Sequence, residues 1–149
     1  MHVSAPQPRF DGLPIFFNID SSVGANAQNS NFADITLVQF LIRKSAERDA
    51  GTITLDRRAR MLKVVPDGRV GPLTIDGIRA VQETMRDKNP ATVVDGRVSP
   101  ARGYRYGAGV FTIVSINTAN RTRYPEFWPC LHHFPGCPAI LKMESAKSL

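Results

Sequence analysis

The sequence predicts a small, mainly α-helical domain, and three observations carry that reading. Apolar residues recur at helical spacing at Ile35, Val38, Leu41 and Ile42. They do so again at Ile75, Ile78, Val81 and Met85. A turn, Asp67-Gly68-Arg69-Val70-Gly71-Pro72, returns 28 positions later as Asp95-Gly96-Arg97-Val98-Ser99-Pro100. A turn-plus-helix unit that repeats implies two similar corners in one bundle. The 149 residues, 42% hydrophobic and 21% charged, suit one core with extensions at either end.

Residues 1–21 read as an extended arm, because Pro6, Pro8 and Pro14 oppose helix. Ile15-Phe16-Phe17 before Asn18 fits a short strand or apolar anchor, and residues 21–30 are small and polar, a loop by composition. The first helix starts near Asn31, a good N-cap, with Asp34 in the first turn where the helix dipole favours a carboxylate. Lys44 and the polar run to Gly51 predict its end. Ile53-Thr54-Leu55 and Leu62-Lys63-Val64-Val65 flank Asp56-Arg57-Arg58-Ala59-Arg60, and their β-branched residues fit a hairpin with a basic tip. A short helix from Asp56 to Leu62 fits almost as well.

Asp67-Gly68 is a strong turn pair, since Asp bonds its own backbone and Gly accepts positive φ. Pro72 suits the first position of the second helix, where a missing N–H costs nothing. Gly77 lies on the same side as Ile78 and permits a close approach by another backbone, and Asp87 to Pro90 end the helix. Val110 to Asn117 is apolar and β-branched, open between strand and buried helix. Glu126 to His133 and Ala139 to Lys147 read as two short helices of a C-terminal appendage, residues 119–149, packing on the core.

Taken together, these residues resemble the peptidoglycan-binding-like domain, a small three-helix bundle. The resemblance rests on Val38-Gln39, on Asp67-Gly68-x-Val70-Gly71-Pro72-x-Thr74, and on Ile78-x-x-Val81-Gln82. The lead-in from Ser22-Val23-Gly24 through Asn29 to Asp34 is similar to that of many members, and Asp95-Gly96-x-Val98-Ser99-Pro100 matches the turn before the family's third helix. The resemblance covers about residues 22–118. It departs at Val81, where the family commonly has Phe, and at residues 45–66, a longer and more basic insertion. After Pro100 the expected helix is displaced, so the third helix is expected near Phe111 or Thr112. The resemblance implies non-catalytic recognition of peptidoglycan. The same fold also serves as a docking unit elsewhere, so fold alone does not choose the ligand.

The candidate ligand contacts are Arg69, Arg79, Gln82 and Arg97, around a groove between the second helix and the two turns. The structural turn residues are Asp67, Gly68, Gly71, Pro72, Asp95, Gly96 and Pro100. Turn propensity accounts for the Asp-Gly pairs, which lack the further oxygen ligands of a calcium loop. Gln39 and Gln82 hold equivalent places in their helices, which suits buried amides bonded to backbone. Cys130, His132, His133 and Cys137 are ligand types for zinc, but the Cys-x-His-His spacing crowds three donors into four positions, and no metal or other cofactor is expected. Two cysteines do not make a disulfide scaffold.

The motifs of common hydrolase families are absent, and His2, His132 and His133 are the only histidines, so no enzyme is expected. A net charge of +6 favours anionic partners without choosing among them. Arg57, Arg58 and Arg60 form a basic knob at an expected loop tip. Arg97, Arg102, Arg105, Arg121 and Arg123 interleave with Tyr104, Tyr106 and Tyr124, a pattern that suits nucleic acid but more often a solvated face. No membrane span and no secretory signal are read in the chain, so synthesis in the cytoplasm is expected. Two functions from different classes follow. One is a peptidoglycan-binding module. The other is a docking component of a phage particle or contractile secretion machine, reaching its neighbours through the arm; nucleic-acid binding is a weaker third.

Overall fold

Asn31 opens the first helix, α1 (Phe32–Glu47), its side-chain oxygen accepting from the Asp34 N–H at 3.1 Å. This computed structural model describes residues 1–5, 13–49, 51–102 and 111–148. Of the 16 residues in α1, 13 are buried, far more than one amphipathic stripe would need. A helix buried on all sides must have partners on all sides. Here α2 (Leu55–Leu62), α3 (Pro72–Lys88), α4 (Thr112–Arg123) and α5 (Ala139–Ser148) all pack against it. The described chain is a mainly α domain of five helices with two small sheets.

The hairpin expected at residues 52–65 does not form, and the alternative short helix does, as α2. Thr54 caps α2, its hydroxyl accepting from the Arg57 N–H at 3.3 Å, and Asp56 sits in the first turn. The stretch Arg57 to Leu62 is rich in good helix formers, while β-branched Ile53, Val64 and Val65 fall outside the helix. Gly77 does grant a close approach, but to a side chain: a Cβ there would run into the buried Val64 methyl. Pro72 takes the first position of α3, as expected, and α4 begins at Thr112.

The extended-arm reading also fails for the described residues. β1 (His2–Ser4) pairs antiparallel with β2 (Phe16–Asn18), placing Val3 opposite Phe17. Phe16, Phe17 and Ile19 are fully buried, so this segment is core rather than appendage. Three hydrophobes of that size gain more from burial than from solvent. A second ribbon joins β3 (Val23–Gly24) to β4 (Arg97–Val98).

In the C-terminal segment Leu131, Phe134 and Leu141 are buried in the core. Its first helix does not form. Residues 125–129 are turns and Leu131–His133 is a single 3-10 turn, because Pro129 has no N–H to donate and Trp128 before it is steered away from the α region. Among the described residues no helix is long and apolar enough to cross a membrane.

Candidate functional site

The two Asp-Gly turns share one construction. Each glutamine comes from a helix core and reaches a turn that the following helix backs. Gln39 Nε2 donates to the Thr74 hydroxyl (3.0 Å), the Arg69 carbonyl (2.8 Å) and Asp67 Oδ1 (3.2 Å), while its oxygen accepts from the Gly68 N–H (2.9 Å). Gln82 Nε2 donates to the Thr112 hydroxyl (3.3 Å), the Arg97 carbonyl (2.9 Å) and Asp95 Oδ1 (3.0 Å). Its oxygen accepts from the N–H groups of Asp95 (3.1 Å) and Gly96 (2.9 Å). Asp67 and Asp95 in turn accept from the N–H two residues on, at 2.9 and 3.0 Å. Gly68 and Gly96 hold φ of +74° and +72°, where L residues are strained.

The duplication extends to the packing: Phe32 stands over Gly68 and Ile75 over Gly96, each seven positions before its glutamine. α3 therefore receives the first turn through Thr74 and holds the second through Gln82. The units differ in length, since α2 lies within the first.

This arrangement removes Gln82 from the candidate contacts. Its side chain is buried and its carboxamide fully engaged, so a ligand could reach it only by opening the turn. Arg69 and Arg97, one residue past each glycine, are exposed, and neither has an ion-pair partner among the described residues. Arg79 is exposed on α3 and lies against Gly96. Gly71 caps α3 from an extended conformation. Pro100 does not start a helix.

The loop from Ser21 to Asn31 spans the two turns. Its Ser22 hydroxyl meets Ser99 at 3.5 Å, the Ala25 N–H donates to the Gly96 carbonyl at 2.9 Å, and Asn31 leads directly to Phe32. Ser21, Ser22, Gln28, Asn29, Ser30 and Asn31 line an open polar depression of about 560 Å³. Beneath it the buried Asp34 carboxylate accepts from the N–H groups of Asp20 and Ser21 and from Asn29, which sets the loop's shape. On another side, a mainly apolar cleft of about 480 Å³ is lined by Ile53, Met61, Val81, Met85, Ile116 and Arg123.

The basic knob is not a knob. Arg60 pairs with Asp76 at 2.9 Å and Glu83 at 2.6 Å, Arg57 pairs with Asp87, and Arg58 Nε donates to the Ala46 carbonyl at 2.9 Å. These bonds hold the Asp76 and Glu83 carboxyls below their ordinary range, chiefly through Arg60, and the Asp87 carboxyl through Arg57. The arginine–tyrosine stretch is also divided. Tyr124 is buried with its hydroxyl donating to the Lys44 carbonyl (2.8 Å), and Arg123 reaches Thr52 (2.9 Å) and Asp49 (3.4 Å). Arg102 donates to the Asp20 carbonyl at 2.7 Å. Tyr104, Arg105 and Tyr106 lie outside the described residues.

No family model, curated protein or solved structure matches the chain.

Two further features escaped the sequence. Asn117 donates to the Phe17 carbonyl (2.8 Å) and accepts from the Phe17 N–H (2.7 Å), acting on β2 as a neighbouring strand would. Nothing local signals this, as the partners are 100 residues apart. The Cys130, His132 and His133 donors, which the spacing crowds into four positions, all lie within 4.8 Å of one another. Cys130 and Cys137 are both free thiols.

Proposed function

We propose that the chain is a non-catalytic binding module for bacterial cell-wall peptidoglycan, with α1, α3 and α4 as its three-helix bundle. The observation that carries this reading is the polar depression of a loop that touches both turns, each turn presenting an arginine with no ion-pair partner among the described residues. Hydroxyl and amide groups of Ser22, Gln28 and Asn31 suit sugar hydroxyls and acetamido groups, and the exposed Phe32 ring offers a face for stacking. Arg69 and Arg97 suit the peptide carboxylates, with Arg79 behind Arg97. The glutamine locks hold both arginines on rigid turns, so little ordering is lost on binding.

The test is co-sedimentation with purified sacculi. The wild-type chain is expected in the pellet, and the double variant Arg69→Ala/Arg97→Ala is expected to bind at least about tenfold more weakly, the scale of one lost charged hydrogen bond. Recovery of the wild type wholly in the supernatant at moderate salt would overturn the proposal.

A second reading, a docking component of a phage particle or contractile secretion machine, is favoured by one observation. Phe32 (52% exposed), Val70 (36%) and Leu73 (54%) gather apolar surface around the first turn. A chain that ignores sacculi yet enters a particle, and loses that entry on Leu73→Ser, would support this reading.

A further inference from the structure

The geometry points to a zinc-type metal site at Cys130, His132 and His133, with three protein ligands and a fourth position open. Nothing in the peptidoglycan reading uses these residues. The segment is held at both edges by Leu131 and Phe134, which are buried, while the two histidines are exposed and Cys130 is half-buried. Hydrogen bonds from the His133 N–H to the Cys130 carbonyl (2.9 Å) and from the Phe134 N–H to the Leu131 carbonyl (3.0 Å) close the 3-10 turn. Three residues per turn place positions i and i+3 above one another, so Cys130 and His133 share a face. His132 joins them: its ring stands 4.1 Å from that of His133, edge-on at 65°.

The three donor atoms lie within 4.8 Å of one another. Tetrahedral zinc, with bonds of about 2.0–2.3 Å, needs donors roughly 3.3–3.8 Å apart. The remaining gap of about 1 Å is within reach of side-chain rotation, which the exposed imidazoles permit at little cost. One thiolate and two imidazoles form a borderline-soft set that selects zinc-like ions over magnesium or calcium. Binding replaces the Cys130 thiol proton, which leaves to solvent as the sulfur–metal bond forms. Cys137 is a built-in control. It is buried, its Sγ faces the Pro138 carbonyl at 3.7 Å, and burial pushes its thiol up to about 11.

The experiment uses the full chain, reduced and stripped with chelator, with cobalt(II) as the probe. One equivalent is expected to produce a thiolate-to-cobalt charge-transfer band and four-coordinate d–d bands, both erased by zinc. Cys130→Ser should lose the charge-transfer band, and Cys137→Ser should keep it. His133→Ala should bind at least about tenfold more weakly, since even loss of an outer-shell partner has that effect. Far-UV circular dichroism checks each variant, and the exposed His133 keeps the test decisive should Cys130→Ser misfold. No band at one equivalent, a band that survives Cys130→Ser in folded protein, or one lost instead in Cys137→Ser would overturn the inference.

Discussion

Gln39 and Gln82 each serve a turn with one carboxamide. An amide NH₂ has two hydrogens, so three acceptors around Nε2 means that one hydrogen is shared. Removing the group would leave backbone atoms of a part-buried turn without their partner. Gln82→Leu, similar in volume, leaves the Asp95 and Gly96 N–H groups and the Arg97 carbonyl without their partner. It is expected to cost roughly 2–4 kcal/mol, read as a lowered urea midpoint with an unchanged slope. The glycines differ in a way that a turn motif alone does not reveal. A Cβ at Gly68 meets only the Phe32 ring, which is exposed and can swing away. At Gly24, with φ of +119°, it meets the Gly96 carbonyl oxygen, which is backbone and cannot. Duplicated aspartates, glycines and glutamines were readable in the sequence; the direction in which each glutamine reaches was not.

Among the elements, α2 and α3 are joined by ion pairs, and Val64, just past α2, packs against Gly77 of α3. Arg60 holds Asp76 and Glu83 below the ordinary carboxylate range in the folded chain. A carboxyl depressed by folding stabilises above its unfolded value near about 4, and that stabilisation is lost as pH falls through the lower folded value. Stability should therefore decline on acidification below about pH 5, a trend to which Arg60 contributes. Arg60→Ala is expected to flatten this decline and to cost about 1 kcal/mol at pH 7, a modest figure because water screens the pairs. Urea midpoints measured from pH 3 to 7 check both. The basic run was legible as charge, and its helix only as one of two alternatives. Helix formers between Thr54 and Leu62 compete with β-branched flanks in sequence, and only the acidic face of α3, supplied from elsewhere, pairs the arginines.

At the scale of the whole molecule, the N-terminal segment decides the core. Leu13, Phe16, Phe17 and Ile19 are buried, and Asn117 ties β2 to α4. Deleting residues 1–20 is expected to unfold the domain, since losing several large buried side chains exceeds the usual 5–15 kcal/mol of total stability. Loss of the cooperative thermal transition by circular dichroism would bear this out; a folded, cooperative remnant would return the segment to the status of an arm.

The Asn31 cap, the Pro72 start, the two helical faces and the Asp-Gly turn conformations were determined by the sequence alone, because each is set by interactions spanning a few residues. Tertiary structure decided where β1 and β2 lie, that residues 55–62 take the helix rather than the hairpin, that Arg60 is paired with carboxylates, and that Cys130, His132 and His133 lie close together. These outcomes depend on surfaces brought from distant parts of the chain, as Phe17 and Asn117 illustrate at 100 residues' separation. Local free energies are too nearly balanced to foretell which distant surface will arrive.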